Sequence, residues 1–303
     1  MEKRLEQHSK LRRVKKSLVL SVTKRCNLHC LYCKPEKNKT HDRLSFFSTL
    51  MDYPKEEFDK ILKICHKENI EETLLIGGEP LEYPHILDLL HYLYDKKIKF
   101  SFHTNGVSSH WTKVLAFIKD KKQTPNVVLS IEMTEKMQNE LRHSPIPFKL
   151  IDSLNELGCK IELKITLHKE ILKYTTDLKD FLNFWLNKNV SSIRFQPVIP
   201  VGSEKKFNKI ILDDSCIPIF QELIRFKKDE RYKNIIRNSE LNLNISMSML
   251  KKEKISQKII SLCDAKKRIT FMRTNGDIID CFGLCGKTDC VNDFDYQCCA
   301  FYP

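Results

Sequence analysis

The chain has 303 residues, of which 41% are hydrophobic and 30% are charged, as in an ordinary globular protein. Its formal net charge is +13, but the lysines are scattered and no aromatic residues interleave with them, which disfavours nucleic acid as a partner and leaves an anionic substrate as an option. The sequence has no apolar run of about 18 residues and no signal-peptide core, which argues against a membrane span and against secretion.

The cysteine content points to a reducing compartment. The chain contains 12 cysteines and no recognisable secretion signal. Disulfide frameworks belong to oxidising compartments, whereas cysteine-rich cytosolic proteins commonly use their thiolates to bind metals. We therefore expect a cytoplasmic, metal-binding protein.

Strands and helices alternate over residues 16–203. The predicted strands span 16–23, 72–76, 98–103, 126–132, 160–167 and 192–196, and the predicted helices span 54–69, 85–97, 107–119, 147–157 and 169–187. The strands show apolar residues in alternation or in short runs, and the helices show them at helical spacing. This order predicts βαβ units, and hence an α/β fold with a parallel sheet. Such sheets bind their ligands at the carboxyl ends of the strands.

Three cysteines, Cys26, Cys30 and Cys33, follow the first predicted strand. Cysteine thiolates ligate iron–sulfur clusters, so this group can hold three corners of a [4Fe-4S] cube and leave one iron open for chemistry. The alternative is a zinc site, which usually takes four Cys or His ligands. His29 could be the fourth ligand, but it lies between two of the cysteines, where tetrahedral closure would be strained. These three cysteines are the candidate catalytic and metal-ligating residues.

Three further polar segments follow the next predicted strands: Gly77-Gly78-Glu79-Pro80, Thr104-Asn105-Gly106 and Ser130-Ile131-Glu132. Paired glycines permit a tight turn and a close approach of the backbone to a ligand. Asn-Gly is also a common turn without any binding role. Because parallel strands end at the same edge of a sheet, we expect the three segments to lie near the cysteines.

The Cys-x3-Cys-x2-Cys spacing, with the aromatic Tyr32 before the last cysteine, resembles the signature of the radical S-adenosylmethionine (SAM) enzymes. The resemblance implies a partial (β/α)6 barrel, a [4Fe-4S] cluster on the three cysteines, and SAM bound to the open iron through its amino and carboxylate groups. In that family the reduced cluster cleaves SAM to methionine and a 5′-deoxyadenosyl radical, which removes a hydrogen atom from the substrate. A flavodoxin- or ferredoxin-like protein is the expected electron donor.

The resemblance also implies cofactor-binding roles at the strand ends. Gly77–Pro80 resembles the segment that hydrogen-bonds the SAM amino group, and Tyr32 and Asn105 belong to segments that recur in the family. Ser130 and Glu132 resemble positions that approach the methionyl group and the ribose of SAM. Glu132 stands where the family has Asp, which lengthens its reach.

Half of the cysteines lie in the tail: Cys263, Cys281, Cys285, Cys290, Cys298 and Cys299. Segments 270–272 and 277–280 flank Thr274-Asn275-Gly276 and predict a β-hairpin that returns Cys281 close to Cys263. This arrangement resembles the SPASM and twitch extensions of radical SAM enzymes, which hold auxiliary [4Fe-4S] clusters. The compressed spacing favours one auxiliary cluster, whose other ligands come from the last four cysteines. A structural zinc ribbon is the alternative.

We therefore expect four parts: an N-terminal extension at 1–13, the barrel at 14–203, a lysine-rich helical bridge at 204–260 and a twitch-like domain at 261–303. The predicted reaction is the oxidation or rearrangement of a small polar metabolite with help from the auxiliary cluster. Radical modification of a peptide, by crosslinking, epimerisation or thioether formation, is the first alternative. The nucleotide-cyclising enzymes of molybdopterin synthesis rank lower, because their chains end in a glycine pair and space their tail cysteines differently. A zinc-bearing, basic nucleic-acid-binding protein and a two-cluster electron-transfer protein are the alternatives from other classes.

Overall fold

A computed structural model describes residues 16–33, 50–173, 178–198, 210–251, 253 and 269–279. Within these residues, seven parallel strands form a sheet that curls into a half-barrel. The strands are β1 (Ser17–Thr23), β2 (Glu72–Gly77), β3 (Lys99–Thr104), β4 (Asn126–Ile131), β5 (Lys160–Leu167), β6 (Ser192–Pro197), β7 (Ile269–Met272) and β8 (Ile278–Ile279). Their order is β6-β5-β4-β3-β2-β1-β7-β8, and only the β7–β8 pair is antiparallel in this described sheet. The predicted α/β fold is confirmed.

The helices lie between and after the strands. They are α1 (Phe58–Lys67), α2 (Ile86–Asp95), α3 (Trp111–Asp120), α4 (Glu135–Arg142), α5 (Phe148–Glu156), α6 (Leu178–Asn187), α7 (Ile217–Lys228) and α8 (Glu240–Leu250). Apolar spacing does not predict α4, because only Met137 and Leu141 are apolar in it. The helix predicted over 169–187 begins instead with a 3-10 turn at Lys169–Lys173. None of the helices in the described residues is long and apolar enough to cross a membrane.

The two faces of the sheet differ in polarity. On β5 the apolar residues that alternate from Ile161 to Leu167 are at most 1% exposed and belong to the core beneath the helices. Glu162, Lys164 and Thr166 alternate with them and are half-buried on the opposite, concave face. By the same alternation and the strand register, the concave face also carries Ser21, Ser101, His103, Ser130, Arg194 and Gln196.

The predicted hairpin is present and joins the barrel sheet. Phe271 pairs with Ile279 across β7 and β8, and the turn between them has Gly276 at φ 80°. β7 lies beside β1 in parallel, with Leu20 opposite Met272. The hairpin therefore adds a seventh parallel strand to the six that the sequence predicts. The domain boundaries stay predictions.

Candidate functional site

The three candidate cluster cysteines lie on the loop after β1, called here the cysteine loop (residues 26–33). Cys26 and Cys30 are half-buried and Cys33 is exposed. The Cys33 N–H donates to the Cys30 carbonyl at 3.0 Å, and the Leu31 N–H donates to the Leu141 carbonyl at 2.8 Å. The loop is thereby fastened to α4, the helix that carries Leu141.

The three thiols influence one another. Burial raises the pKa of each, that of Cys26 to about 11. In addition, a negative charge on Cys30 raises the pKa of Cys26, one on Cys33 raises that of Cys30, and one on Cys26 raises that of Cys33. The thiols therefore lie close together in a setting that disfavours three free thiolates. A cationic metal centre reverses this preference, because a coordinating thiol is deprotonated by the metal.

This set of ligands fits an iron–sulfur cluster better than a single ion. Among the described residues, no three His, Cys, Asp or Glu side chains converge as the ligands of one metal ion do. A [4Fe-4S] cluster takes each thiolate on a different iron, so its ligands stand further apart. The positive charge of Arg142 lowers the pKa of both Cys30 and Cys33, which favours thiolates at these positions.

Gly77 and Gly78 pack directly against the start of the cysteine loop. A Cβ on Gly77 would lie 2.5 Å from the carbonyl oxygen of Thr23, and one on Gly78 would lie 2.3 Å from that of Arg25. The N–H of Gly78 donates to Thr23 at 2.8 Å, and that of Glu79 donates to Arg25 at 2.7 Å. Neither glycine has a positive φ. Glycine is therefore required here for close contact between two segments, not for an unusual turn.

The Glu79 carboxylate is 0% exposed and faces the turn after β3. Oε1 accepts hydrogen bonds from the Thr104 hydroxyl at 2.6 Å and the Leu81 N–H at 3.4 Å. Oε2 accepts from the Asn105 N–H at 2.7 Å. Burial raises the pKa of Glu79 to about 7, although these bonds act in the opposite direction. The side chain joins the ends of β2 and β3, while buried Pro80 begins the short 3-10 turn that follows.

Asn105 connects this turn with the cysteine loop. Its Nδ2 donates to Asn27 Oδ1 at 2.8 Å and lies 3.9 Å from Cys26 Sγ. Its Oδ1 accepts from the Val107 N–H at 2.9 Å, which fixes the amide orientation. Hydrogen bonds to cluster sulfurs help to set the reduction potential of an iron–sulfur centre.

The concave face beside the cysteine loop carries a buried cationic region. Burial, and after it the positive charges of Arg194 and Arg142, lower the pKa of Lys164 to about 7. No other described residue forms a hydrogen bond or ion pair with the Lys164 ammonium. Arg194 donates to Glu162 Oε1 at 2.8 Å. The region therefore holds more positive than negative charge.

Ser130 and His103 lie next to each other on this face. The Ser130 hydroxyl is 3.0 Å from His103 Nε2. Burial, with the charges of Lys164 and two arginines, holds the pKa of His103 well below its usual value. A neutral imidazole is therefore the partner of the Ser130 hydroxyl.

Glu132 lies at the end of β4 and is 0% exposed. Its Oε1 accepts hydrogen bonds from the Tyr32 hydroxyl and from Arg142 Nε, the latter at 2.7 Å. Its Oε2 is 3.2 Å from His168 Nε2. Two predicted cofactor-binding residues, Tyr32 and Glu132, are thus bonded to each other, and their contacts with SAM stay predictions.

Five residues of this region were not predicted as site residues from the sequence: His103, Arg142, Lys164, His168 and Arg194. A sequence signal exists for His103, Lys164 and Arg194, because each is a polar residue that alternates with apolar residues along its strand. No sequence pattern marks Arg142 and His168 as site residues, since only the fold brings them to Glu132. The predicted auxiliary ligands lie outside the described residues: Cys263, Cys281, Cys285, Cys290, Cys298 and also Cys299.

A parallel half-barrel with three cysteines after its first strand, and a glycine pair packed against them, is the arrangement expected of an enzyme that combines an iron–sulfur cluster with SAM. The family model described as Radical SAM superfamily matches residues 20–171, half of the chain, and the chain belongs to this superfamily. It is therefore a radical SAM enzyme, and its family uses a [4Fe-4S] cluster and SAM, as predicted.

Two relatives found by sequence carry the same name. The chain is 27% identical over 239 residues to a protein named GTP 3′,8-cyclase from Clostridium botulinum (strain Okra / Type B1), which covers 70% of this chain and 66% of the relative. It is also 27% identical over 225 residues to the GTP 3′,8-cyclase of Aquifex aeolicus (strain VF5). That alignment covers 72% of this chain and 68% of the relative. The chain thus spans just under two thirds of the first cyclase.

A solved structure shows the same fold. Streptococcus suis SuiB, bound to its precursor peptide SuiA, superposes with a TM-score of 0.63 at 20% identity, over 95% of this chain and 64% of the other. SuiB has also been solved with S-adenosylmethionine. At this identity the likeness concerns the fold alone.

Proposed function

We propose that this enzyme removes a hydrogen atom from an anionic small molecule held on the concave face, and so oxidises or rearranges it. The observation that carries the proposal is the Lys164 ammonium, half-buried and without a described partner, beside Arg194. Its charge lowers the pKa of Cys33, which indicates that Lys164 lies near the cysteine loop. A substrate anion at Lys164 would therefore be held close to the cofactor.

The cysteine loop supplies the cluster ligands in this proposal. Cys26, Cys30 and Cys33 would hold the [4Fe-4S] cluster, and the backbone of Gly77–Pro80 would receive the amino group of SAM. When bound and reduced, the cluster supplies the electron that cleaves SAM to methionine and the 5′-deoxyadenosyl radical. Ser130 would contact SAM from the concave face, where the neutral His103 fixes its hydroxyl.

The sequence relatives agree with an anionic substrate. GTP is a polyanion, and the relatives named GTP 3′,8-cyclase match about 70% of this chain. The scattered positive charge of the chain, +13 in total, would also favour the approach of anions. The peptide alternative stays a prediction, because the likeness to SuiB concerns the fold.

The tail completes the proposal. Cys263 and Cys281, with ligands from Cys285, Cys290, Cys298 and Cys299, would hold one auxiliary [4Fe-4S] cluster, which would accept one electron from the substrate radical as that radical is oxidised. A flavodoxin- or ferredoxin-like protein would supply the electron for SAM cleavage.

The cofactor content can be tested first. The full chain is purified without oxygen, assayed for iron and sulfide, then reduced with dithionite in the presence of SAM and analysed for 5′-deoxyadenosine. We expect about eight irons per chain, as two cubane clusters require, and formation of 5′-deoxyadenosine that Cys30→Ala abolishes. About four irons with the same product would remove the auxiliary cluster from the proposal. Zinc without iron, and no SAM cleavage, would overturn it.

The anion site is tested by binding. Pyrophosphate and GTP serve as probes in calorimetric titrations of the cluster-loaded protein. Lys164→Met and Arg194→Met should each weaken binding by about tenfold, the usual effect of losing a charged hydrogen bond. Lys160→Met, at the exposed start of β5, is the matched control and should bind like the natural protein. Equal affinity in all four proteins would show that the anion does not bind on the concave face.

A further inference from the structure

The buried carboxylate of Glu132 joins three elements of the fold. We propose that Glu132, together with Arg142 and His168, is a positioning group that fixes Tyr32 and, through it, the cysteine loop, and that it does not contact SAM. This inference rests on the proposed role of the cysteine loop as the cluster site. It assigns a structural purpose to a residue whose position in the sequence predicts a cofactor contact.

The carboxylate is fully engaged inside the protein. Glu132 and His168 are both 0% exposed, and Arg142 is 5% exposed. Oε1 accepts from the Tyr32 hydroxyl and from Arg142 Nε at 2.7 Å, and Oε2 is 3.2 Å from His168 Nε2. A ligand could reach this carboxylate only after one of its protein partners had left.

Tyr32 is held from three sides. Its hydroxyl bonds to Glu132, the guanidinium carbon of Arg142 lies 5.4 Å from the centre of its ring, and the His168 ring stacks on it at 6.1 Å and 25°. A cation over an aromatic face and a stacked ring both favour one ring position. The ring cannot leave this position without breaking all three contacts.

The same group anchors α4. Gln138 and Arg142 are four residues apart and therefore lie on one face of the helix. Gln138 Oε1 accepts the Glu132 N–H at 2.9 Å, while Arg142 binds the carboxylate. Just before Arg142, the Leu141 carbonyl accepts the Leu31 N–H at 2.8 Å. The cysteine loop is thus tied to α4 through its backbone and to Glu132 through Tyr32.

The charges in the group favour this arrangement. Burial alone would raise the pKa of Glu132, but the positive charge of Arg142 and the hydrogen bonds from His168 and Tyr32 lower it below its usual value. The carboxylate therefore stays ionised and its attraction to Arg142 is retained.

The test separates positioning from cofactor contact. Tyr32→Phe removes only the hydroxyl, and Glu132→Gln keeps the shape but removes the charge; Glu156→Gln, on the exposed side of α5, is the control. Each full-length protein is loaded with cluster, checked by circular dichroism, and measured for the rate of iron loss to a chelator and for the Kd of SAM. The natural protein, measured first, must hold the cysteine-loop cluster; if it does not, the proposed function fails before this inference is tested.

We expect iron loss about tenfold faster in both variants, since each removes the charged hydrogen bond between Tyr32 and Glu132, and the same Kd of SAM in Glu132→Gln as in Tyr32→Phe. The double variant should lose iron no faster than the faster single variant, because the two residues act as one unit. A Kd raised in Glu132→Gln but not in Tyr32→Phe would show a SAM contact and overturn the inference. Additive effects on iron loss would also overturn it. If Glu132→Gln does not fold, the test uses Tyr32→Phe, which leaves the ring and the core in place. Iron loss from Tyr32→Phe at the same rate as from the natural protein would then overturn the inference.

Discussion

The Asn105 N–H donates a 2.7 Å hydrogen bond to the buried carboxylate of Glu79. Asn105 in turn lies 3.9 Å from Cys26 Sγ through its amide nitrogen. A chain of polar contacts therefore runs from the end of β2, through the turn after β3, to the first cluster cysteine. Glu79, which lies in the segment predicted to bind the SAM amino group, connects two strand ends in the structure.

The raised pKa of Glu79 predicts that the stability of the fold depends on pH. The pKa of Glu79 rises from 4.5 to about 7 in the folded chain, so between these values the folded state holds a proton that the unfolded state releases. The contribution of Glu79 to the free energy of unfolding is fully present below pH 4.5 and is lost as the pH rises through about 7. Between pH 5 and 7.5 we expect the loss to reach about 2 kcal/mol.

Urea unfolding of the reduced, cluster-free chain measures this effect. Glu79→Gln cannot ionise, so its free energy of unfolding should fall about 2 kcal/mol less over the same pH range. The exposed Glu156→Gln variant should follow the natural protein. Parallel pH profiles for Glu79→Gln and the natural chain would contradict the prediction.

Gly78→Ala should disturb the cysteine loop. Its Cβ would lie 2.3 Å from the Arg25 carbonyl oxygen and 2.6 Å from that of Lys24, so the backbone before Cys26 must move. We expect a loss of about 1–3 kcal/mol in the free energy of unfolding, as in other overpacked sites, together with loss of the cysteine-loop cluster.

Gly158→Ala is the control for that variant. Gly158 has φ 71°, and a Cβ there would make only an ordinary contact, at 3.9 Å from Thr124 Cγ2. The substitution therefore costs about 1 kcal/mol of backbone strain at a position outside the cysteine loop. Iron content should separate the two proteins: normal in Gly158→Ala and reduced in Gly78→Ala. Full iron in both would show that the close contact at Gly78 is not needed for the cluster.

Asn105→Asp should weaken binding of the cluster by the cysteine loop. The change replaces an N–H beside Cys26 Sγ with a negative charge, and second-shell changes typically cost about tenfold or more in metal affinity. We expect faster iron loss to a chelator and a more negative reduction potential. Asn69→Asp, an exposed change at the end of α1, introduces the same charge elsewhere and should leave both values unchanged.

The sequence predicts the parts of this molecule that depend on local pattern. Alternating apolar residues from Ile161 to Leu167 identify β5, with bounds that agree with the structure. The tail hairpin is also predicted, but its pairing with β1 depends on tertiary contacts that periodicity does not report. The contacts of Glu132 are harder still to predict, because Tyr32 lies 100 positions away and His168 lies 36 away.

The edge of β6 offers a last test of the fold. The backbone of residues 235–237 pairs with Ile193 at this edge. Asn238 continues this pairing, because it donates to the Phe195 carbonyl and accepts from the Phe195 N–H, both at 2.8 Å. Asn238→Ala would leave two buried backbone groups unpaired, which should cost about 2–3 kcal/mol in the free energy of unfolding measured in urea. Asn244→Ala on α8 removes a single exposed bond to Glu240 and should cost less than about 0.5 kcal/mol. Equal losses in the two variants would show that the backbone groups of Phe195 do not depend on Asn238.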